Sequence, residues 1–265
     1  MRICPIASGS SGNCIYVGSD DTHLIVDCGI SGKKAAAGVN SLELSMTDIS
    51  GILITHEHTD HIGGLGVLSR RYGIPIYTTP DTANAIMSTP GIGEIDPSLF
   101  TAVSPDVPFM IGDIEINPLR VSHDAVDPVA YRFKQGEHKG AIVTDLGFYN
   151  DYIVNSLKGL DVLMIESNHD INMLQVGPYP YLLKQRILSD KGHLSNESAG
   201  RLLSEILHDK MKHIILGHLS HENNLPELAF ESVRMEITVS DTPYKGGDFP
   251  VTVAKRSEPS LCVGF

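Results

Sequence analysis

The feature that most limits how this chain can fold is a polar burst at the end of an apolar run, "GILITHEHTDH", residues 51–61. Ile52, Leu53 and Ile54 read as a buried strand that ends at Thr55. His56, His58, Asp60 and His61 then fall on the segment leaving the strand, where side chains converge on one point. A zinc-binding helix of the His-Glu-x-x-His type is excluded, because the residue four after His56 is Asp60. Two imidazoles two positions apart in extended backbone face the same way. His56 and His58 can therefore share one metal ion, and Asp60 and His61 can address a second. A paired site needs more ligands than one loop supplies, so other strand ends must bring isolated His and Asp to it. Three residues answer that description: His123 after "INPLRVS", Asp145 after "GAIVT" and His218 after "HIILG".

Strands are expected at "CIYVG", "HLIVDCG", "GILITH", "IPIYTT", "EINPL", "VAYRFK", "AIVTD", "DVLMIE", "HIILGH" and "MEITVS". Helical patterns lie at "IGGLGVLSRRY", "PDTANAIM" and "NESAGRLLSEILHDK", the last with Ser195 or Asn196 as its cap. Hairpins early and helices later predict an α/β (α+β) fold of two sheets flanked by helices. The 265 residues can bury one large core and show no repeat or linker, so a single domain, 1–265, is expected. No window approaches the roughly 18 apolar residues of a membrane span. The opening "MRICPIASGSSGNC" lacks the apolar stretch of a signal peptide, which predicts a cytoplasmic protein with no membrane partner. Cys4, Cys14, Cys28 and Cys262 show no C-x-x-C spacing and are expected as free buried thiols. A net charge of −12 argues against non-specific coating of nucleic acid or membrane, while leaving room for a local basic patch.

Five imidazoles and two carboxylates without a thiolate suit Zn, Mn or Fe. In their order along the chain, His-x-His-x-Asp-His, His, Asp and His, they resemble the metallo-β-lactamase superfamily. That resemblance implies a four-layer αββα sandwich of two mixed sheets flanked by helices, with two divalent metal ions. It implies that His56, His58 and His123 bind one ion, that Asp60, His61 and His218 bind the other, and that Asp145 bridges them. It also implies that Asp27 in "VDCG" orients the metal loop. His221, three residues after His218, is the less suitable last ligand because it does not directly follow the strand. A paired site of this kind activates a shared water near neutral pH and polarises the electrophile, which suits hydrolysis.

The stretch 162–200 narrows the substrate. Glu166 ends a strand and His193 precedes the amphipathic helix, an arrangement similar to the Glu–His pair of tRNase Z-like phosphodiesterases. There the histidine protonates the leaving oxygen and the glutamate orients it, which an imidazole paired with a carboxylate can do at neutral pH. "ASGSSGNCIYV", "ESNHD", "GPYPYLLKQRI" and "GHLSNESAG" resemble the YycJ (WalJ, VicX) family. This implies a 5′–3′ exonuclease acting on DNA, with Asp60, Glu166 and His193 as its catalytic residues. The spacing from Asp145 to His193 leaves no room for the β-CASP insertion of the related RNase J type. Ser195 and Asn196 can offer a phosphate-docking helix start or serve as plain caps. Lys184, Arg186 and Lys191 form a candidate basic patch beside His193, or a solvated face. "ASGSSGNC" reads as a phosphate-binding turn or, at least as well, as a hairpin turn. Asn168, His169 and Asp170 are expected to shape the pocket floor. The alternatives are a hydrolase of small phosphodiesters or acyl esters (thioesters or lactones) and a non-catalytic binding protein, which a complete ligand set disfavours.

Overall fold

Runs of Val, Ile and Leu closed by Gly, Asp or Ser build the strands. The computed structural model describes all 265 residues, with fourteen strands and nine α-helices. The strands form two mixed seven-stranded sheets, flanked by helices, in an α/β arrangement. The chain separates into two compact units, one of residues 1–120, 125–137 and 255–265, the other of 121–124 and 138–254.

The first unit opens with β1 (Arg2–Ala7), β2 (Cys14–Gly18), β3 (His23–Val26) and α1 (Gly32–Asn40). There follow β4 (Gly51–Leu53), α2 (Thr59–Ile62), α3 (Leu65–Tyr72), β5 (Ile76–Thr78), α4 (Pro80–Ser88) and β6 (Phe100–Ala102). Next come β7 (Phe109–Ile111), β8 (Ile114–Arg120) and β9 (Val129–Gln135), which pair antiparallel in turn. The last strand of the chain, β14 (Val263–Gly264), returns to β1, and the sheet order is β14-β1-β2-β3-β4-β5-β6. The pairing is antiparallel up to β3 and parallel from β3 to β6. Ile25, Ile52, Ile54, Ile62 and Leu65 are buried in its core. The expectation of four free thiols is corrected here. The β1/β14 register sets Ile3 opposite Val263, which brings Cys4 to Cys262, and these two are disulfide-bonded. Cys14 and Cys28 are free and buried, as expected.

The second unit carries β10 (His138–Val143), α5 (Asp151–Leu157), β11 (Val162–Glu166), α6 (Ile171–Val176) and α7 (Tyr181–Ile187). It continues with α8 (Asn196–Ile206), β12 (His213–Gly217), α9 (Pro226–Val239) and β13 (Val251–Val253). The strands β10 to β13 are parallel, with Val143 beside Ile165 and Ile165 beside Leu216. This register brings the strand ends level, so the first polar residues after each apolar run emerge together. The expected strand at "MEITVS" is instead the end of α9. Ala229, Val233 and Ile237 are its buried residues, four apart, and Pro226 sits at its first position. That apolar spacing outweighs the local β-branching of Ile237 and Val239.

Candidate metal centre

In the first unit the polar burst begins at Thr55, two residues past the end of β4. Thr59–Ile62 closes into a helical turn rather than an open loop, because His61 and Ile62 donate their N–H groups to the carbonyl of His58, at 2.9 and 3.1 Å. Burial of Ile62 holds the turn down. The rings of His56 and His58 are centred 4.6 Å apart, and those of His56 and His61 4.1 Å.

Beneath these rings lies Asp27, wholly buried, one residue past the end of β3. Its Oδ2 meets His61 Nδ1 at 2.7 Å, and its Oδ1 accepts from the Thr55 amide at 2.9 Å. The Thr55 hydroxyl bridges Asp27 Oδ2 (2.9 Å) and His56 Nδ1 (3.0 Å). With Nδ1 engaged by a carboxylate, the His61 proton sits there and Nε2 keeps its lone pair, the tautomer a metal ligand needs. Asp60 Oδ2 lies 3.5 Å from that Nε2.

Sequence reasoning missed Asn13. The turn "ASGSSGNC" is the hairpin turn between β1 and β2, and its last polar residue reaches the metal loop. Asn13 donates its backbone N–H to the Asp60 carbonyl at 2.8 Å, and its side-chain amide lies 3.1 Å from His61 Nε2. Gly29 packs on the same carbonyl so closely that an added Cβ would stand 1.6 Å from Asp60 O. Only glycine fits there.

In the second unit the organiser is Glu166, the fully buried last residue of β11. Its Oε1 accepts from the backbone N–H of Leu194 (2.8 Å) and Leu146 (3.2 Å). Its Oε2 accepts from the backbone N–H of Asp145 (3.2 Å) and contacts Nδ1 of both His193 and His218, each at 2.9 Å. Sequence reasoning gave Glu166 one imidazole to orient; it holds two, and the backbone of Asp145 besides. Ligand atoms of Asp145, Glu166, His193 and His218 lie within 4.8 Å of one another. Burial pushes the Glu166 carboxyl up, but the two imidazoles outweigh it and hold the pKa down at about 2. Burial lowers His193, and Glu166 with Asp145 outweighs it, so His193 is raised above an ordinary histidine. His123, just past the end of β8, is buried and lowered by desolvation; its Nδ1 faces the Gly192 carbonyl at 3.0 Å.

The remaining predicted residues fall into two groups. His221 is on the surface, paired with Glu222 at 2.8 Å, whereas His218 is buried in the cluster. Asn168 donates to the His218 carbonyl at 2.9 Å, and Asn224 donates to the carbonyls of Ser167 (2.9 Å) and Asn168 (3.0 Å), so these amides support the last strand end. Ser195 caps α8 by accepting from Ser198 N. Asn196 is fully buried with both ends of its amide committed, to Ser167 at 2.6 Å and to Asn224 at 3.0 Å. The side chains of Ser195 and Asn196 thus serve the helix start and the network beneath it.

The donor set of each unit fits a divalent cation on chemical grounds. His61, His218 and His123 anchor Nδ1 on a carboxylate or a carbonyl, the arrangement that fixes metal-ligating imidazoles. Residues 22–218 match the family model described as a β-lactamase superfamily domain. The fold and the His/Asp clusters therefore define the class: this chain belongs to the metallo-β-lactamase superfamily and binds divalent metal. Within that class it is 46% identical over 233 residues, 88% of either chain, to the exodeoxyribonuclease YycJ of Bacillus anthracis. It is 41% identical to the exodeoxyribonuclease WalJ of Streptococcus pneumoniae, over 93% of this chain and 91% of that one. It belongs to their family. Among solved structures, the metallo-β-lactamase fold protein YhfI from Bacillus subtilis superposes with a TM-score of 0.69 at 20% identity, covering 98% of this chain and 99% of that one.

Proposed function

We propose that the protein is a metal-dependent exodeoxyribonuclease that removes nucleotides from the 5′ end of DNA. The observation that carries this reading is Glu166, one buried carboxylate gripping both His193 and His218. In the proposal His56, His58, Asp60, His61, His123, Asp145 and His218 are the ligands of two ions of Zn, Mn or Fe. The ions supply Lewis acidity and a water acidified toward neutral pH. Asp27 and Asn13 fix the loop that carries the first four ligands. His193, kept charged by Glu166, donates a proton to the leaving 3′ oxygen, which as an alkoxide departs poorly without one. Asp60, Glu166 and His193 are the proposed catalytic residues. Ser195 and Asn196 set the start of α8 beside Glu166 and His193, with any phosphate contact made through backbone N–H groups. The chain acts as one metallo-β-lactamase domain without a β-CASP insertion, in the cytoplasm where its substrate lies; no helix is long and apolar enough to cross a membrane.

The experiment is metal content together with cleavage of a 5′-labelled single-stranded DNA, with Asp60→Ala as control. About two metals per chain and mononucleotide release that the substitution abolishes are the expected results. Two metals without DNA cleavage would move the activity to a small phosphodiester or acyl ester.

A further inference from the structure

The segment leading from α6 to His193 carries surface that neither the fold nor the metal centre uses. Val176, Leu182 and Tyr181 are 86%, 77% and 71% exposed, the three most exposed large apolar side chains of the protein. They lie within seven consecutive residues, around a Gly-Pro-Tyr-Pro turn. Leu188, at 47%, extends the same apolar run past α7. Residues 171–192 also hold three cations, Lys184, Arg186 and Lys191, against one carboxylate, Asp190, in a chain of net charge −12.

This arm is tied to the proposed chemistry at its base. The N–H of His193 donates to the Ile187 carbonyl at 3.0 Å, and the Ser122 hydroxyl donates to the Asp190 carbonyl at 2.7 Å. Arg186 pairs with Asp124, the neighbour of His123, while about half its side chain stays exposed. Lys184 Nζ donates to the Gln175 carbonyl at 2.7 Å, clipping α7 to the end of α6. Gly192 passes so close to the Ile187 carbonyl that an added Cβ would stand 2.0 Å from it. The arm is therefore a built projection beside the general acid.

We propose that the arm is the platform for the single-stranded end of the nucleic-acid substrate. A base stacks on Tyr181 and its neighbours pack on Val176 and Leu182, while Lys184 and Lys191 neutralise phosphates. Exposed aromatic surface interleaved with cations is what sequence-independent single-strand binding requires. The placement gives an otherwise acidic protein one local surface that a polyanion can approach. This inference rests on the nuclease reading above.

The test is fluorescence anisotropy of a 20-nucleotide phosphorothioate single strand, which resists cleavage, run beside the cleavage assay on ordinary DNA. Tyr181→Ala is expected to weaken binding about tenfold. The double substitution K184A/K191A is expected to flatten the slope of log affinity against log salt by about 1.4, roughly 0.7 for each phosphate no longer neutralised. Met235→Ala, a 60% exposed apolar side chain on α9, serves as the control and binds as wild type. If wild type cleaves DNA and the arm variants bind with unchanged affinity and salt slope, the platform is wrong and the nuclease reading stands. If wild type with added metal neither binds nor cleaves DNA, both fall together. Loss of binding to anionic vesicles rather than to DNA in the arm variants would overturn the inference in favour of a lipid contact.

Discussion

Replacing Asp27 by Asn removes one charge and one acceptor while sparing the backbone. Asp27 has φ of 60°, in the left-handed region, which Asn tolerates better than most residues, so the conformational cost is small. Asn keeps one oxygen, and that oxygen can serve either Thr55 N or His61 Nδ1, which Asp27 now satisfies with separate oxygens at 2.9 and 2.7 Å. If the amide oxygen stays on Thr55, its NH2 points at His61 Nδ1. The imidazole must then move its proton to Nε2, the nitrogen that would ligate metal. If the amide turns over, the Thr55 N–H faces an NH2 group and the loop loses its anchor. Both outcomes weaken the metal loop. Loss of such an outer partner costs about 10–100-fold in metal affinity, which is about 1.4–2.8 kcal/mol at 1.4 kcal/mol per tenfold. Chelator competition followed by isothermal titration measures it directly, without reference to catalysis. A variant whose metal affinity matches wild type within twofold, with its fold intact by circular dichroism, would refute the reasoning that Asp27 sets the His61 tautomer.

Four further outcomes follow from the same geometry. Glu166→Gln puts an NH2 or a neutral oxygen against two imidazoles, and kcat on DNA should fall by about 10²–10⁴, read by single-turnover cleavage at saturating metal. His193→Ala should lower DNA cleavage by a similar factor while losing far less on bis(p-nitrophenyl) phosphate, whose leaving group needs no proton; equal losses on both would remove His193 as the acid. Gly29→Ala drives a methyl into the Asp60 carbonyl and should cost about 3 kcal/mol in urea unfolding. Stripping metal with EDTA should lower stability, and returning it at 100 times its Kd should restore about 2.7 kcal/mol.

The strand ends that carry the predicted ligands were legible as strand ends because two independent signals coincide there. An apolar run marks the strand, and the first ionisable residue after it marks the strand's end, as at Asp145 after "GAIVT" and His218 after "HIILG". Parallel register then does the rest, since Val143, Ile165 and Leu216 are level. What stayed hidden depends on contacts between residues distant in sequence. Asn13 reaches Asp60 across 47 positions from inside a turn whose Gly and Ser content explains it locally. Glu166 reaches His218 across 52 positions, and nothing in "DVLMIE" announces a second imidazole. The Cys4–Cys262 pairing depends on a two-residue terminal strand too short to carry a pattern. "MEITVS" misled for the opposite reason, its β-branched residues being read over six positions when the deciding helical period needs the full run from Pro226.

The backbone adds an argument that neither pattern nor composition carries. Five residues other than glycine have positive φ, and three of them are Asp27, Asp145 and His218, each just past the end of a strand. Such a conformation costs on the order of 1–3 kcal/mol per residue and persists only where surroundings enforce it. Here the enforcing contacts can be named. Asp27 is held by Thr55 and His61, Asp145 by the bond from its N–H to Glu166, and His218 by Asn168 on its carbonyl and Glu166 on its ring. The left-handed step turns the chain sharply as it leaves each strand, so the side chain is delivered at the strand mouth instead of continuing the alternation across the sheet. On this reasoning Asp145→Asn and Asp145→Ala should separate. Both lose the carboxylate of the proposed bridging ligand, but Ala also meets the left-handed strain, so its apo form should be less stable than that of Asn by about 1 kcal/mol. Equal apo stability in urea would mean that the turn at Asp145 is relaxed and that the strand ends are not under strain.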